Sequence, residues 1–194
     1  WLVVERAGVS AFPIIALVGF LIGLILAFQA AVPMKQFGAE IFVADLVALS
    51  VIRELGPLMT AIILAGRSGS AFAAEIGTMR VTEQIDALET LSYDPVAYLI
   101  VPRFIAATLM LPLPVIFANA VGVTTAGFTS LTASDVTWQQ FAEGLRMAYT
   151  FFQIAYSLIK ATIFGAAIAF LCSYEGFVTD VGAEGVGRST AKAV

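Results

Sequence analysis

Four stretches of this chain are each apolar over the length a lipid bilayer demands, and that limits its fold more than any other feature. A helix crosses the hydrocarbon core with roughly 20 mostly apolar residues. Lipid offers no partner to a backbone N–H or C=O, so a spanning segment must satisfy its own, as a helix does. The candidates run over about 11–32, where Gln29 is the only strongly polar residue; 45–77, with Arg53, Glu54 and Arg67; 103–130, with Pro112 and Pro114; and 141–172, with Lys160. Proline is tolerated inside such helices where neighbours satisfy the freed carbonyls, and Gly56-Pro57 reads as a kink in the second span. Of 194 residues, 60% are apolar and 12% charged, with a mean hydropathy of +0.95. Soluble domains carry about 25% charge. The alternative, a soluble helical bundle, would leave large apolar patches in water. The chain therefore reads as a single all-α integral membrane domain over 1–194.

The composition also excludes chemistry. There is no histidine, and Cys172 is the one cysteine. That rules out a disulfide framework, a Cys/His zinc site and a His-based catalytic triad. The net charge of −4 comes with no basic patch suited to nucleic acid. Gly66-Arg-Ser-Gly69 matches the G-x-S-G pattern of intramembrane serine proteases, but such a serine needs a histidine to activate it. Gly182 to Ser189 resembles a P-loop with Arg188 in place of lysine, yet no βαβ pattern surrounds it. No catalytic or metal-binding residue is assigned, and the chain is not expected to be an enzyme. Glu5 and Arg6 precede an apolar stretch too long, and without the small-residue cleavage site, for a signal peptide. The chain opens on Trp1, and Arg188 to Val194 reads as a helix entrance, so the natural chain is expected to continue.

Basic residues in loops orient the spans. An inside N-terminus puts Arg6, Arg80, Arg103, Arg188 and Lys192 in the cytoplasm and leaves Lys35 in an outer loop. Asp135 and Trp138 then lie in the outer loop before the fourth span. The long inner loop runs over about 78–103. Within it, Val81, Ile85, Leu88 and Leu91 recur at helical spacing, with Glu83, Asp86, Glu89 and Thr90 opposite. Asp94-Pro95 reads as an N-cap followed by proline at the first helical position. The pattern predicts a short amphipathic helix that either lies on lipid or docks into a protein groove. Surface-lying helices usually present Lys and Arg to anionic headgroups, so this acidic face favours the groove.

Small residues fall in register along the second span. Ala65, Gly69, Ala73 and Gly77 are four apart, with Gly66, Ser70 and Ala74 alongside. Such rows let another helix approach closely, within one subunit or between two copies of the chain. Charges inside spans are costly and should face a cavity or each other. Arg53 and Glu54 are adjacent, diverge by about 100° on an α-helix, and are not expected to pair well. Glu54 and Lys160 are expected to meet across the second and fourth spans and border a polar cavity, or to form a purely structural ion pair.

Arg53-Glu-Leu-Gly-Pro57, Ala65-Gly-Arg-Ser-Gly-Ser-Ala71, Ala74-Glu-Ile-Gly-Thr-Met-Arg80, Thr82-Glu-Gln-Ile-Asp-Ala-Leu88 and Asp94-Pro95 together resemble the MlaE family of ABC permeases. Pro102-Arg103, Ile159-Lys160 and Gly185 to Thr190 resemble it too. The resemblance implies a five-span fold with an N-terminal interfacial helix, with the start of the first span and most of the last absent and 185–194 beginning that further span. It implies two copies of the chain, above two cytoplasmic ATPase subunits that hold the ATP and magnesium, with no cofactor on this chain. The helix over 82–91 would be the coupling helix, offering Thr82, Glu83, Gln84, Asp86 and Glu89 to the ATPase. A periplasmic ring of MCE domains would exchange lipid with a cavity at the dimer centre, and a STAS-domain protein joins some members. Arg53, Glu54 and Lys160 are the candidates for lining that cavity, in a bacterial inner membrane. The substrate would be phospholipid, or sterol or fatty acid as in some actinobacterial relatives. Two rival readings are a non-transporting scaffold for an MCE protein and a secondary transporter, which would need internal repeats that the sequence lacks.

Overall fold

A computed structural model describes residues 11–39, 42–133, 136–180 and 182–194. Arg6 and Asp135, used above to orient the spans, lie outside them. The described residues form helices and no strands. These are α1 (Phe12–Gln36), α2 (Val43–Val81), α3 (Gln84–Thr90), α4 (Val96–Thr132), α5 (Trp138–Ala148), α6 (Phe151–Phe177) and α7 (Ala183–Lys192). Four of them, α1, α2, α4 and α6, are long and apolar enough to cross a membrane. The chain is an all-α, multi-pass membrane protein. Leu17, Leu109, Phe128 and Ile163 are exposed on its surface, where water is the wrong solvent.

Several boundaries differ from the sequence pattern, each for a local reason. The expected fourth span over 141–172 divides. Trp138–Ala148 is a separate helix, opened by a capping box in which Thr137 Oγ1 accepts from Gln140 N–H and Gln140 Oε1 accepts from Thr137 N–H. The span itself begins at Phe151. The amphipathic helix expected over about 82–91 is shorter at both ends, running over Gln84–Thr90. Glu83 takes a left-handed conformation at φ 59°, which separates α2 from α3, and Leu91 is exposed. Asp94 does cap α4, its Oδ1 accepting from Val96 N–H at 3.0 Å.

Where a kink is expected at Gly56-Pro57, the helix carries a widened turn. Ser50–Leu55 is a π-helical segment in which Gly56 N–H donates to the carbonyl of Val51, five residues back. Pro57 has no N–H, and its ring would strike the carbonyl of Arg53 in a regular α-helix. A π-bulge moves that carbonyl aside.

The chain divides into two compact units. The first comprises Ala61–Pro112 and Thr162–Val194, with Ala11. Its core gathers Ile76, Ile85 and Leu99, with Met79, Leu88 and Phe177 against them, and a second cluster around Phe72 and Cys172. The second unit comprises Phe12–Thr60 and Leu113–Ala161. Its core is built from Ala27, Val47, Ala48, Val51, Ile52, Val123 and Ala126. There α1 and α4 touch backbone to backbone: a Cβ on Gly23 would lie 2.2 Å from the carbonyl oxygen of Gly122.

Candidate functional site

In the second unit the π-helical segment carries Arg53 and Glu54, and α6 carries Lys160. Lys160 Nζ donates a hydrogen bond to Glu54 Oε2, forming the expected ion pair across α2 and α6. Arg53 also reaches Glu54, with Nε 3.6 Å from Oε1, which corrects the expectation that the two would not pair. The widened turn narrows the angle between successive side chains below the α-helical 100°, and a long arginine closes the remainder. Both cations also lie over the ring of Tyr156, at 5.1 Å for the Arg53 guanidinium carbon and 5.8 Å for Lys160 Nζ. Tyr156 is four residues before Lys160, one turn along the same helix face. The cluster is open on one side: the side chains of Glu54 and Arg53 are 54% and 48% exposed, against 23% for Lys160.

Beside this cluster, Asn119 Nδ2 donates to Ser157 Oγ at 3.2 Å between α4 and α6. A cavity of about 190 Å³ adjoins them, walled by Ile52, Ile116, Ile154 and Leu158, with Tyr149 at its edge. Burial holds the Tyr149 phenol above its ordinary pKa, so it stays a neutral hydroxyl. No group of acidic, cysteine or histidine side chains able to hold a metal ion occurs among the described residues.

In the first unit, α3 turns Ile85 fully inward. Thr82, Glu83, Gln84, Asp86 and Glu89 are all exposed. Arg80 Nη1 holds Asp86 Oδ1 at 3.3 Å, tying α3 to the end of α2. The short helix thus has an apolar root and an outward acidic face.

A family model described as Permease MlaE matches residues 2–194. This chain belongs to the MlaE permease family. Among the relatives of this MlaE-family chain is a probable ABC transporter permease protein of Rickettsia prowazekii. It is 40% identical over 187 residues, covering 96% of this chain and 72% of that protein. The intermembrane phospholipid transport system permease protein MlaE of Haemophilus influenzae is 35% identical over 188 residues, 96% of this chain and 72% of that one. The chloroplastic protein TRIGALACTOSYLDIACYLGLYCEROL 1 of Arabidopsis thaliana is 36% identical over 190 residues, 98% of this chain and 54% of that one. The chain is an MlaE-family ABC permease, a transmembrane kind of subunit that is not itself catalytic.

In this MlaE-family permease the two rows of small residues on α2 separate. Gly69, Ala73 and Gly77 are buried within the unit. A Cβ at Gly69 would lie 2.6 Å from Cys172 Sγ, and one at Gly77 3.0 Å from Thr179 Oγ1. Ala73 lends its backbone to the close approach of Gly176 on α6. Ala65 and Ser70 are half-buried and Gly66 is exposed. Tyr156, Asn119 and Ser157 were absent from the sequence reading. Tyr156 carried a signal, its one-turn spacing from Lys160. Asn119 and Ser157 carried none, since a lone polar residue in an apolar span does not announce its partner.

Proposed function

We propose that this chain is the membrane-spanning subunit of a transporter that moves phospholipid between the bacterial inner membrane and a periplasmic MCE-domain carrier. A separate ATPase supplies the energy. The observation that carries this reading is the Arg53–Glu54–Lys160 cluster on Tyr156. Charged side chains within a span are costly unless they face one another or a polar cavity, and this cluster does the first while remaining open on one side. An open ionic cluster on an otherwise apolar surface suits an amphiphile: cations for a phosphate, exposed aliphatic side chains for acyl chains. The name of the Haemophilus influenzae relative supports phospholipid over sterol or fatty acid.

Two copies of the chain would enclose the lipid, with Arg53, Glu54 and Lys160 lining the space between them. Gly66 is exposed, with the half-buried Ala65 and Ser70 near it, and a second copy would approach α2 there, since small residues let helices come close. The exposed acidic face of α3 would dock in the ATPase on the cytoplasmic side, and Ile85 would carry the motion of α3 into the spans. No cofactor is assigned to this chain; ATP and magnesium would sit on the partner. A STAS-domain protein is a further partner that some such systems use.

The test is reversal of charge. Glu54→Lys and Lys160→Glu should each cut ATP-dependent phospholipid movement in proteoliposomes, and the double reversal should regain part of it. Singles with undiminished movement would remove the cluster from the lipid path.

A further inference from the structure

We propose that Arg103 and Glu75 form a strut that makes α3 move as one body with the adjoining ends of α2 and α4, so that both are positioning residues for the work passed from ATPase to spans. This rests on the reading of α3 as the coupling helix.

Arg103 stands at the mouth of a span, where an ordinary basic residue would run its stem along the apolar surface and leave its head in water. Instead its side chain is turned inward and is only 11% exposed. Nη2 bonds Glu75 Oε2 at 3.2 Å, joining α4 to α2 across 28 residues of chain that include all of α3. Nη1 donates to the carbonyl of Leu99 at 2.9 Å. Nε is buried with no acceptor among the described residues. A buried N–H without a partner is costly and calls for an explanation. Here the guanidinium is held where it makes two particular bonds at the expense of a third.

One of those bonds meets a residue that grips α3, and the other meets the neighbour of a second. Ile85, the root of α3, is enclosed by Ile76 of α2 and Leu99 of α4, with Phe177 of α6 behind. Glu75 is the peptide neighbour of Ile76, and Arg103 is hydrogen-bonded to Leu99 itself. A push on α3 reaches the spans by displacing Ile76 and Leu99. Apolar contact alone would let them part, because dispersion contacts are individually weak and non-directional. The charge-assisted bond fixes the distance between α2 and α4 and adds direction. Lys192–Glu175, at 2.9 Å with the lysine side chain 70% exposed, has no such enclosure.

The test uses the permease reconstituted with its ATPase in phospholipid vesicles, measuring ATP hydrolysed and lipid moved together. Glu75→Gln and Arg103→Gln should keep the ATPase bound and hydrolysing, while lipid moved per ATP falls by roughly tenfold, within the range typical of coupling between sites. Arg103→Glu combined with Glu75→Arg should regain part of the loss. Should Arg103→Gln fail to fold, Glu75→Gln decides, since it keeps size and an acceptor at the half-exposed end. An unchanged ratio in Glu75→Gln overturns the strut. So does a proportional fall of hydrolysis and transport together, which a merely structural role would give. If the unaltered complex moves no lipid with ATP, the coupling-helix reading fails and the strut with it. If it does, and Glu75→Gln matches it, the strut alone fails.

Discussion

Replacing Ile85 by alanine should free α3 while leaving the spans in place. A seven-residue helix cannot hold itself together in water, so its order derives from docking. Ile85 is its one fully buried residue. Truncation removes three carbons at about 0.8 kcal/mol each, roughly 2.4 kcal/mol. The cavity left behind adds to this, and Ile→Ala changes in cores cost about 2–5 kcal/mol. Alanine's better helix propensity returns up to ~0.5 kcal/mol. A net loss of about 2–4 kcal/mol remains, which at about 1.4 kcal/mol per tenfold is a fall of roughly 30-fold to several hundred-fold. The measurement is amide hydrogen exchange of residues 82–93 in nanodiscs, without the ATPase, because local opening sets that protection. Protection of 82–93 equal to the unaltered protein would refute the docking argument. An equal loss across α6 would show that Ile85 supports the whole unit rather than α3.

Glu83→Lys with Asp86→Lys should weaken co-purification of the ATPase while leaving the permease folded, since both side chains are exposed and, among the described residues, the Arg80–Asp86 pair is the ion pair lost. Undiminished co-purification would remove the coupling-helix assignment. Gly23→Ala should destabilise the second unit by about 1–3 kcal/mol through overpacking, seen as a lower aggregation temperature. Gly187→Ala should not, because no described residue lies within 4 Å of a Cβ there. The raised Tyr149 phenol predicts a pH effect. The folded protein keeps that proton to higher pH than the unfolded chain, so its contribution is whole below the unfolded pKa of about 10 and fades as pH rises above it. Tyr149→Phe should flatten the alkaline loss of stability; an unchanged profile would contradict the shift.

Much of this was legible in the residues. The apolar runs announced four helices long and apolar enough to cross a membrane. Ile85 and Leu88 announced the inner face of α3 through helical spacing, and Glu54 and Lys160 announced each other as charges that a span cannot leave unanswered. What stayed hidden was decided by geometry that no spacing encodes. The Arg53–Glu54 contact depends on a π-turn that Pro57 induces, so counting at 100° per residue led to the wrong answer. The boundary between α5 and α6 depends on the capping box of Thr137 and Gln140, obscured by the apolar residues around it. Arg103 read as one more basic residue on the cytoplasmic side, because its inward turn toward Glu75 exists only once α2 and α4 are packed.

The most direct test of the account is to purify the permease–ATPase complex and quantify bound phospholipid by mass spectrometry, before and after ATP and magnesium, alongside Glu54→Lys. The account predicts phospholipid retained at near one molecule per complex, discharged on nucleotide addition, and lost from the variant. Bound phospholipid that ignores both nucleotide and the charge reversal would contradict it.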